Sequence, residues 1–387
     1  MQAEMVENRR WLHAHAETGF ELPQTVGFIK KKLTETGCVP LDCGRAGVVT
    51  VIGKGDRAFL LRADTDALPI AEKSGLSFAC KTGNMHACGH DMHTAILLGA
   101  AKLLKARERE LRGAVKLLFQ PAEERLEGAK DTIEAGVLQE PEVGAAMMLH
   151  VMTDTPMESG RIVVSSAGVS APAADYFQIR VRGKSCHGSA PQNGVDALLI
   201  AAHILVALQE LSAREIPASS PVVLTVGSLY AGTGGNIIAD TALAEGTLRA
   251  FDEELRAKIK ARMGELVRGV ARALQGRARL RFTSGCPALL NDEHVCAFAE
   301  RELKELFGEK EIFSSEQFSG RARGMGGSED FAYISREVPS VMIALCAGER
   351  GKGYRYPLHH PKVKFDESAL YIGAAALARC ALAWKGK

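Results

Sequence analysis

Two kinds of strand are written into this chain, and the switch between them near residue 173 limits the folds open to it. Before the switch, the apolar runs GVVTVIG (47–53), AFLLRAD (58–64), AVKLLFQ (114–120) and GAAMMLH (144–150) are nearly continuous and are separated by helical patterns. Strands buried on both faces read this way, so the first half predicts a mixed, mostly parallel α/β sheet with helices on both sides. At DYFQIRVRG the pattern becomes strict alternation, with Phe177, Ile179 and Val181 set against Gln178, Arg180 and Arg182. That is a strand with one wet face. A helix over 195–214, the strands PVVLTVGSLY and TALAEGTLRAF, a helix over 253–274 and the strand RARLRFT follow, completing the βαββαβ order of a ferredoxin-like module. Mixed α/β character returns after about residue 284, with PSVMIALCA and a closing helix over 365–385. The expectation is one α/β domain, 1–172 with 284–387, interrupted by an inserted α+β domain at 173–283.

Composition narrows the function classes. A chain that is 46% hydrophobic and 24% charged is neither disordered, collagen-like nor a coiled coil. A net charge of +2 gives no reason to expect nucleic acid or an acidic membrane as partner. The opening MQAEMVENRR has no apolar stretch behind it, and no run of about 18 apolar residues occurs, so neither a signal peptide nor a membrane-spanning helix is expected. Nine scattered cysteines, odd in number, suit the reducing cytoplasm.

In open α/β sheets ligands bind beyond the carboxyl ends of the strands. Three strands here end in polar clusters, LLRADTDALP, KLLFQPAEE and MMLH, which brings Asp64, Asp66, Glu123, Glu124 and His150 to one rim. MHACGHDMH adds His86, Cys88, His90, Asp91 and His93 before a helix, and PLHHP adds His359 and His360. If MHACGH is extended, His86, Cys88 and His90 face one way. Nitrogen, oxygen and sulfur donors from five segments suit zinc or another first-row divalent ion. Each piece alone has a plainer reading: Glu123 and Glu124 as first-turn carboxylates at a helix start, His150 as ordinary strand-end structure, Ser328 in GGSEDF as a helix cap. His13, His15, His203 and His294 read as structural. GTGGN (232–236) lacks the Gly-Lys-Ser/Thr of a phosphate loop.

The segments RADTDALP, MHACGHDMH, FQPAEE, LHV, SCHGSAP, GGNIIAD, EGTLR, GGSEDF and LHHP stand in the order found in the aminoacylase/carboxypeptidase family of metallohydrolases. The chain most resembles its subfamily of hippurate hydrolases, N-acyl-L-amino acid amidohydrolases and auxin-conjugate hydrolases, from about Arg9 to Glu367. The resemblance implies a zinc-exopeptidase-like domain carrying an inserted lid and dimerisation domain. It implies two divalent ions per subunit (Zn, Mn, Co or Ni) on Cys88, His90, Glu124, His150 and His359, with Cys88 bridging, since five ligands are too many for one open tetrahedral site. His359 is preferred to His360 because the family motif reads Leu-His-any-Pro. Glu123 falls at the general base and Asp66 at a supporting carboxylate. His187, Asn236 and Arg249 match residues that bind the substrate carbonyl and carboxylate. The implied reaction is hydrolysis of an N-acyl-L-amino acid to a carboxylic acid and a free amino acid. A dipeptidase or carboxypeptidase would use the same two-metal site.

Two positions depart from the family pattern: Gln192 replaces a histidine and Ala239 a proline. Both concern the substrate pocket. Two other classes are weighed: a metal-free hydrolase with Cys88 as nucleophile beside His86 or His90, and a binding protein with structural zinc. The extra ligands disfavour the first. Glu123 beside Glu124 disfavours the second, because a closed structural site has no use for a base. The expected partners are a small-molecule substrate and a second copy of the chain, for which the wet strand at 173–182 offers an edge.

Overall fold

The computed structural model describes residues 1–319 and 327–386. Its contacts divide the chain into two compact units. One comprises Met1–Ser170 and most of the chain from Leu289 onward; the other comprises Ala171–Ala288 and a short piece ending at Ser328.

The first unit is built on an eight-stranded mixed sheet. Its centre is four parallel strands, in the order Ala114–Gln120, Arg57–Asp64, Glu142–Met152 and Ser340–Cys346. Gly47–Ile52 and Ile162–Val164 flank them antiparallel. Every residue of Ala114–Gln120 is buried, and so is all of Arg57–Asp64 after Arg57, as continuous apolar runs require when both faces are covered. Because the central strands run the same way, Asp64, Gln120 and the end of Glu142–Met152 reach the same rim. The helices Gln2–Ala14, His90–Ala106 and Leu370–Ala383 pack together, with Ile96, Leu104, Leu370 and Leu377 in the core.

The helix His90–Ala106 starts inside the MHACGHDMH segment, not after it. The backbone turns at Ala87 and Cys88, with the Gly89 N–H bonded to His86 O, and Gly89 follows at φ 88°. A Cβ there would lie 2.4 Å from Val151 Cγ2, so glycine alone fits both the backbone and the space. This turn breaks the alternation that would have aligned His86 with Cys88 and His90.

The second unit is a four-stranded antiparallel sheet in the order Arg277–Cys286, Ala173–Arg182, Thr241–Ala250, Val222–Ala231. Phe177, Ile179 and Val181 turn inward onto Ile200, Ile204 and Leu208 of Ala197–Glu210, and onto Ile259, Met263 and Val267 of Glu253–Ala273. Asp196 and Asp252 cap these helices by accepting backbone N–H bonds, each worth about 1 kcal/mol. The wet strand Ala173–Arg182 is interior to this sheet, which corrects the expectation that it offers an edge. Val222–Ala231 and Arg277–Cys286 are the edges. By length and apolar composition alone, the helical stretch Ala197–Glu215 would be long enough to cross a membrane. Here it contributes one face to the unit's core and leaves Leu198, Leu199 and Val206 exposed.

Candidate metal centre

At the rim, Asp66 fixes the backbone of the pair that follows the next strand. Its Oδ1 accepts the Glu123 N–H at 3.0 Å and its Oδ2 the Glu124 N–H at 3.3 Å. The tight turn there puts Ala122 and Leu126 at φ 55° and 57°, a left-handed conformation that costs a non-glycine residue about 1 kcal/mol or more. His359 is also left-handed, at φ 64°, and its N–H is bound to Ala87 O. Such strain persists only where the surroundings hold it in place.

Four histidine rings meet or approach this rim, and their hydrogen bonds sort them. His90 Nδ1 lies 2.8 Å from Asp66 O, and His150 Nδ1 lies 2.7 Å from Val151 O. A carbonyl only accepts, so Nδ1 carries a proton in both rings and Nε2 faces the cluster, that of His150 lying 3.5 Å from Cys88 Sγ. His93 is different: Nδ1 lies 2.5 Å from Asp64 Oδ1, and Nε2 accepts the Val151 N–H at 2.8 Å. Both of its nitrogens are used, so it orients others and has no lone pair to offer. Burial, above all, lowers its pKa to about 4. His359 brings Nε2 to 3.5 Å from Glu124 Oε1, whereas His360 stacks on Tyr356.

The ligand atoms of Cys88, His90 and His150 lie within 4.8 Å of one another, as do those of Cys88, Glu124 and His359. Two three-donor sets thus share one thiol. His90 Nε2 and Glu124 Oε1 are buried without any hydrogen-bond partner, a costly condition that a cation relieves. Burial pushes the Cys88 thiol far above its usual range and the Glu124 carboxyl up to about 7. A divalent ion reverses both shifts, since a coordinating thiol is deprotonated outright. These residues fit a pair of neighbouring ions, and the thiol, imidazole and carboxylate donors suit first-row metals. Glu123 is in neither of these two sets, but it groups with His90 and Glu124 on one side and with Glu329 and Asp330 on the other. Its carboxyl is raised well above the usual range, by burial first and then by Glu329 and Glu124.

Sequence reasoning passed over the acids behind Glu123. Arg62, fully buried, donates from Nη1 to Asp64 Oδ2 at 2.7 Å and from Nη2 to Asp330 Oδ1 at 2.8 Å, and pairs with Glu329 Oε1 at 2.9 Å. Asp330 also accepts from Gln120 Nε2 and from the Ala129 N–H. GGSEDF supplies these acids, while Ser328 Oγ accepts a bond from Arg249 Nη1 and so does other work than helix capping. His86 lies outside the donor sets, buried, with both ring nitrogens unbonded. Among the substrate candidates, all in the second unit, His187 pairs with Ile237, and the Gly188 N–H bonds Asn236 O, which sets His187 and Asn236 side by side.

His13 was read as structural, and the geometry makes it a charged tie. Its Nδ1 lies 2.8 Å from Asp91 Oδ2 and its Nε2 3.1 Å from Glu72 Oε1, so both nitrogens face acceptors. Burial would lower its pKa, but the bonds to Asp91 and Glu72 raise it above the ordinary value. A raised pKa contributes stability that is complete below the unfolded value of about 6.5 and is lost as pH rises through the folded one. The melting-temperature gap between the parent and His13→Gln is therefore expected to be widest near pH 6 and to narrow towards pH 9. A gap that widened with pH would show the ring to be neutral.

The profile of peptidase family M20/M25/M40 matches residues 60–383. The chain is 36% identical over 374 residues to an N-acetyl-L-cysteine deacetylase of Bacillus subtilis (strain 168), covering 96% of this chain and 85% of that protein. It is 34% identical over 386 residues to a hippurate hydrolase of Campylobacter jejuni, covering 99% and 97%. Among solved structures, a Bacillus subtilis protein described as a dinuclear metal binding peptidase from the M20 family superposes with a TM-score of 0.79 at 31% identity, over 98% of this chain and 97% of that one. With these donor sets at the rim of this sheet, and relatives matched over nearly their whole length, the chain belongs to peptidase family M20/M25/M40.

Proposed function

We propose that this chain is a metal-dependent amidohydrolase that cleaves N-acyl-L-amino acids to a carboxylic acid and a free amino acid. The observation that carries the reading is the pair of donor sets sharing Cys88, with the Glu123 carboxyl, which is in neither, within 4.8 Å of donor atoms of His90 and Glu124. Cys88, His90, Glu124, His150 and His359 are the proposed ligands. When bound, two divalent ions supply the positive charge that acidifies a water and polarises the amide carbonyl. Glu123 accepts the proton of that water and passes it to the departing amine nitrogen, acting as base and then as acid. Asp66 positions it by holding its N–H. His187 and Asn236 are proposed to bind the carbonyl, and Arg249, with its planar pair of donors, the carboxylate of the amino-acid half. The deacetylase and hippurate hydrolase relatives support an acyl amino acid as substrate.

The test is amine release from N-acetyl, N-benzoyl and indole-acetyl amino acids alongside dipeptides, with added zinc or manganese and after chelation. Release from the acylated panel that chelation abolishes and metal restores is expected. Release from dipeptides alone would make the enzyme a peptidase, and chelator-resistant release would remove the two-metal reading.

The proposal extends to a cytoplasmic homodimer through the second unit. Leu198, Leu199 and Val206, the last 72% exposed, form an apolar stripe on Ala197–Glu210, and Val222–Ala231 has an unpaired edge. Contiguous exposed apolar surface and open strand edges mark association sites. Sedimentation is expected to give the dimer mass for the parent and the monomer mass for Val206→Glu; a parent that sediments as a monomer would overturn the assignment.

A further inference from the structure

The outer face of the second unit's sheet carries a block of arginines that the amidohydrolase reading leaves unused. Arg279 stands directly opposite Arg180, and Arg277 directly opposite Arg182, on the paired strands Arg277–Cys286 and Ala173–Arg182. Arg281 follows, opposite Gln178. All five are exposed, on the face away from the two helices. Arg180 donates to Gln178 Oε1 at 3.3 Å, and among the described residues none of the five is paired with a carboxylate. Strand geometry places the four facing arginines on a grid about 5 Å across and about 7 Å along. Like charges directly opposite one another weaken a ladder, so this arrangement is a cost to the fold that an anion would relieve.

The same face is concave at the end of the grid. A cleft of about 430 Å³ is lined by Arg180, Arg182, Tyr230, Gly232 and Thr233, with Asp240 its one carboxylate. That volume is within the range of small-molecule sites, about 300–1,000 Å³. Continuing the row from Arg180, the next strands place Leu243 and then Tyr230, which is 64% exposed. Gly232 is left-handed at φ 76°. The GTGGN loop lacks a lysine of its own, and the neighbouring strands supply the cations instead.

We infer that this cleft binds an oligophosphate, a chain of two or more phosphate groups, either inorganic or carried by a nucleoside. The argument rests on the side-chain type, the grid and the cleft together. A guanidinium grips two oxygens of a phosphate in parallel, which an ammonium does not, and the face uses arginine throughout. Arg180 and Arg182 line the cleft and Arg277 and Arg279 stand opposite them on the open face beside it, and four forks at this spacing exceed what one carboxylate or one monophosphate engages and match a short chain of phosphates. A nucleoside, when present, stacks its base on Tyr230.

The experiment is calorimetric titration of the full-length, metal-loaded protein at low ionic strength with inorganic tripolyphosphate and with ATP. The parent is compared with Arg180→Ala/Arg279→Ala and with Tyr230→Ala. Loss of metal to the phosphates affects parent and variants alike, so the difference between them isolates the cleft. The double variant is expected to bind tripolyphosphate at least about tenfold more weakly and to melt no lower than the parent, because repulsion has been removed. ATP binding more tightly than tripolyphosphate, with the excess lost in Tyr230→Ala, assigns the nucleotide; equal binding assigns the inorganic chain. Identical titrations of parent and double variant, a lowered melting temperature in the double variant, or tighter binding of polyglutamate or a single-stranded oligonucleotide than of tripolyphosphate each overturn the inference.

Discussion

Glu123→Gln is expected to lower kcat by about a hundred- to ten-thousandfold, the usual range for loss of a positioned acid–base group, while metal content and KM stay close to the parent's. The expectation follows from where Glu123 sits. Its carboxyl lies within 4.8 Å of donor atoms of His90 and Glu124, yet neither set that shares Cys88 includes it. Its N–H is fixed by Asp66, and a glutamine of the same shape keeps that bond. What the amide cannot do is take a proton and return it. Glu124→Gln makes the contrast: it alters a donor in the Cys88, Glu124, His359 set and is expected to reduce bound metal as well as turnover. Metal analysis of both purified variants, alongside steady-state kinetics on an N-acyl amino acid, separates the two roles. Glu123→Gln retaining turnover within tenfold of the parent would take the proton-transfer role away from Glu123.

The adjacency of these two glutamates was legible in the sequence because polar residues at the ends of buried parallel strands have no packing use. RADTDALP, FQPAEE and LH each break a continuous apolar run at its carboxyl end, and the parallel order brings those ends together. The alternation in Ala173–Arg182 likewise displayed the second unit's inward face residue by residue. Its place in the sheet was not displayed, since one wet face looks the same on an interior strand as on an edge. Partners across the fold were also hidden. His13 meets Asp91 78 residues away, and nothing near either residue announces the other. A period of two holds only while the backbone stays extended, and the turn at Ala87 and Cys88 within the motif takes His86 out of line with Cys88 and His90.

Arg62 shows the same limit with a larger energetic consequence, because in sequence it is one charged residue inside an apolar strand. The local sign was its spacing from Asp64, since residues two apart on a strand share a face; its other partner Asp330 is 268 residues away. Arg62 is buried together with Asp64, Glu329 and Asp330, so Arg62→Met strands several carboxylates without their cation. Removing one partner of a buried ion pair costs about 3–5 kcal/mol, which corresponds to a melting-temperature drop on the order of 10 °C in a unit of this size. The sign of the pH dependence follows from Asp64. Burial would raise its carboxyl, but His90, His93 and Arg62 hold it well below the usual range. A carboxyl held low contributes stability above its unfolded pKa of about 3.9, and that contribution is lost as pH falls. The deficit of Arg62→Met is therefore expected to be full from neutral pH down to about 4 and to narrow only below that, as Asp64 takes up its proton. Adding Glu329→Gln removes one of the stranded charges, so the double variant is expected to lose less than the sum of the two single losses, a coupling read directly from a double-mutant cycle. Strict additivity, with a deficit that stays constant as pH falls below 4, would mean that Arg62 contributes by packing its side chain, and that these acids are balanced by the metal site alone.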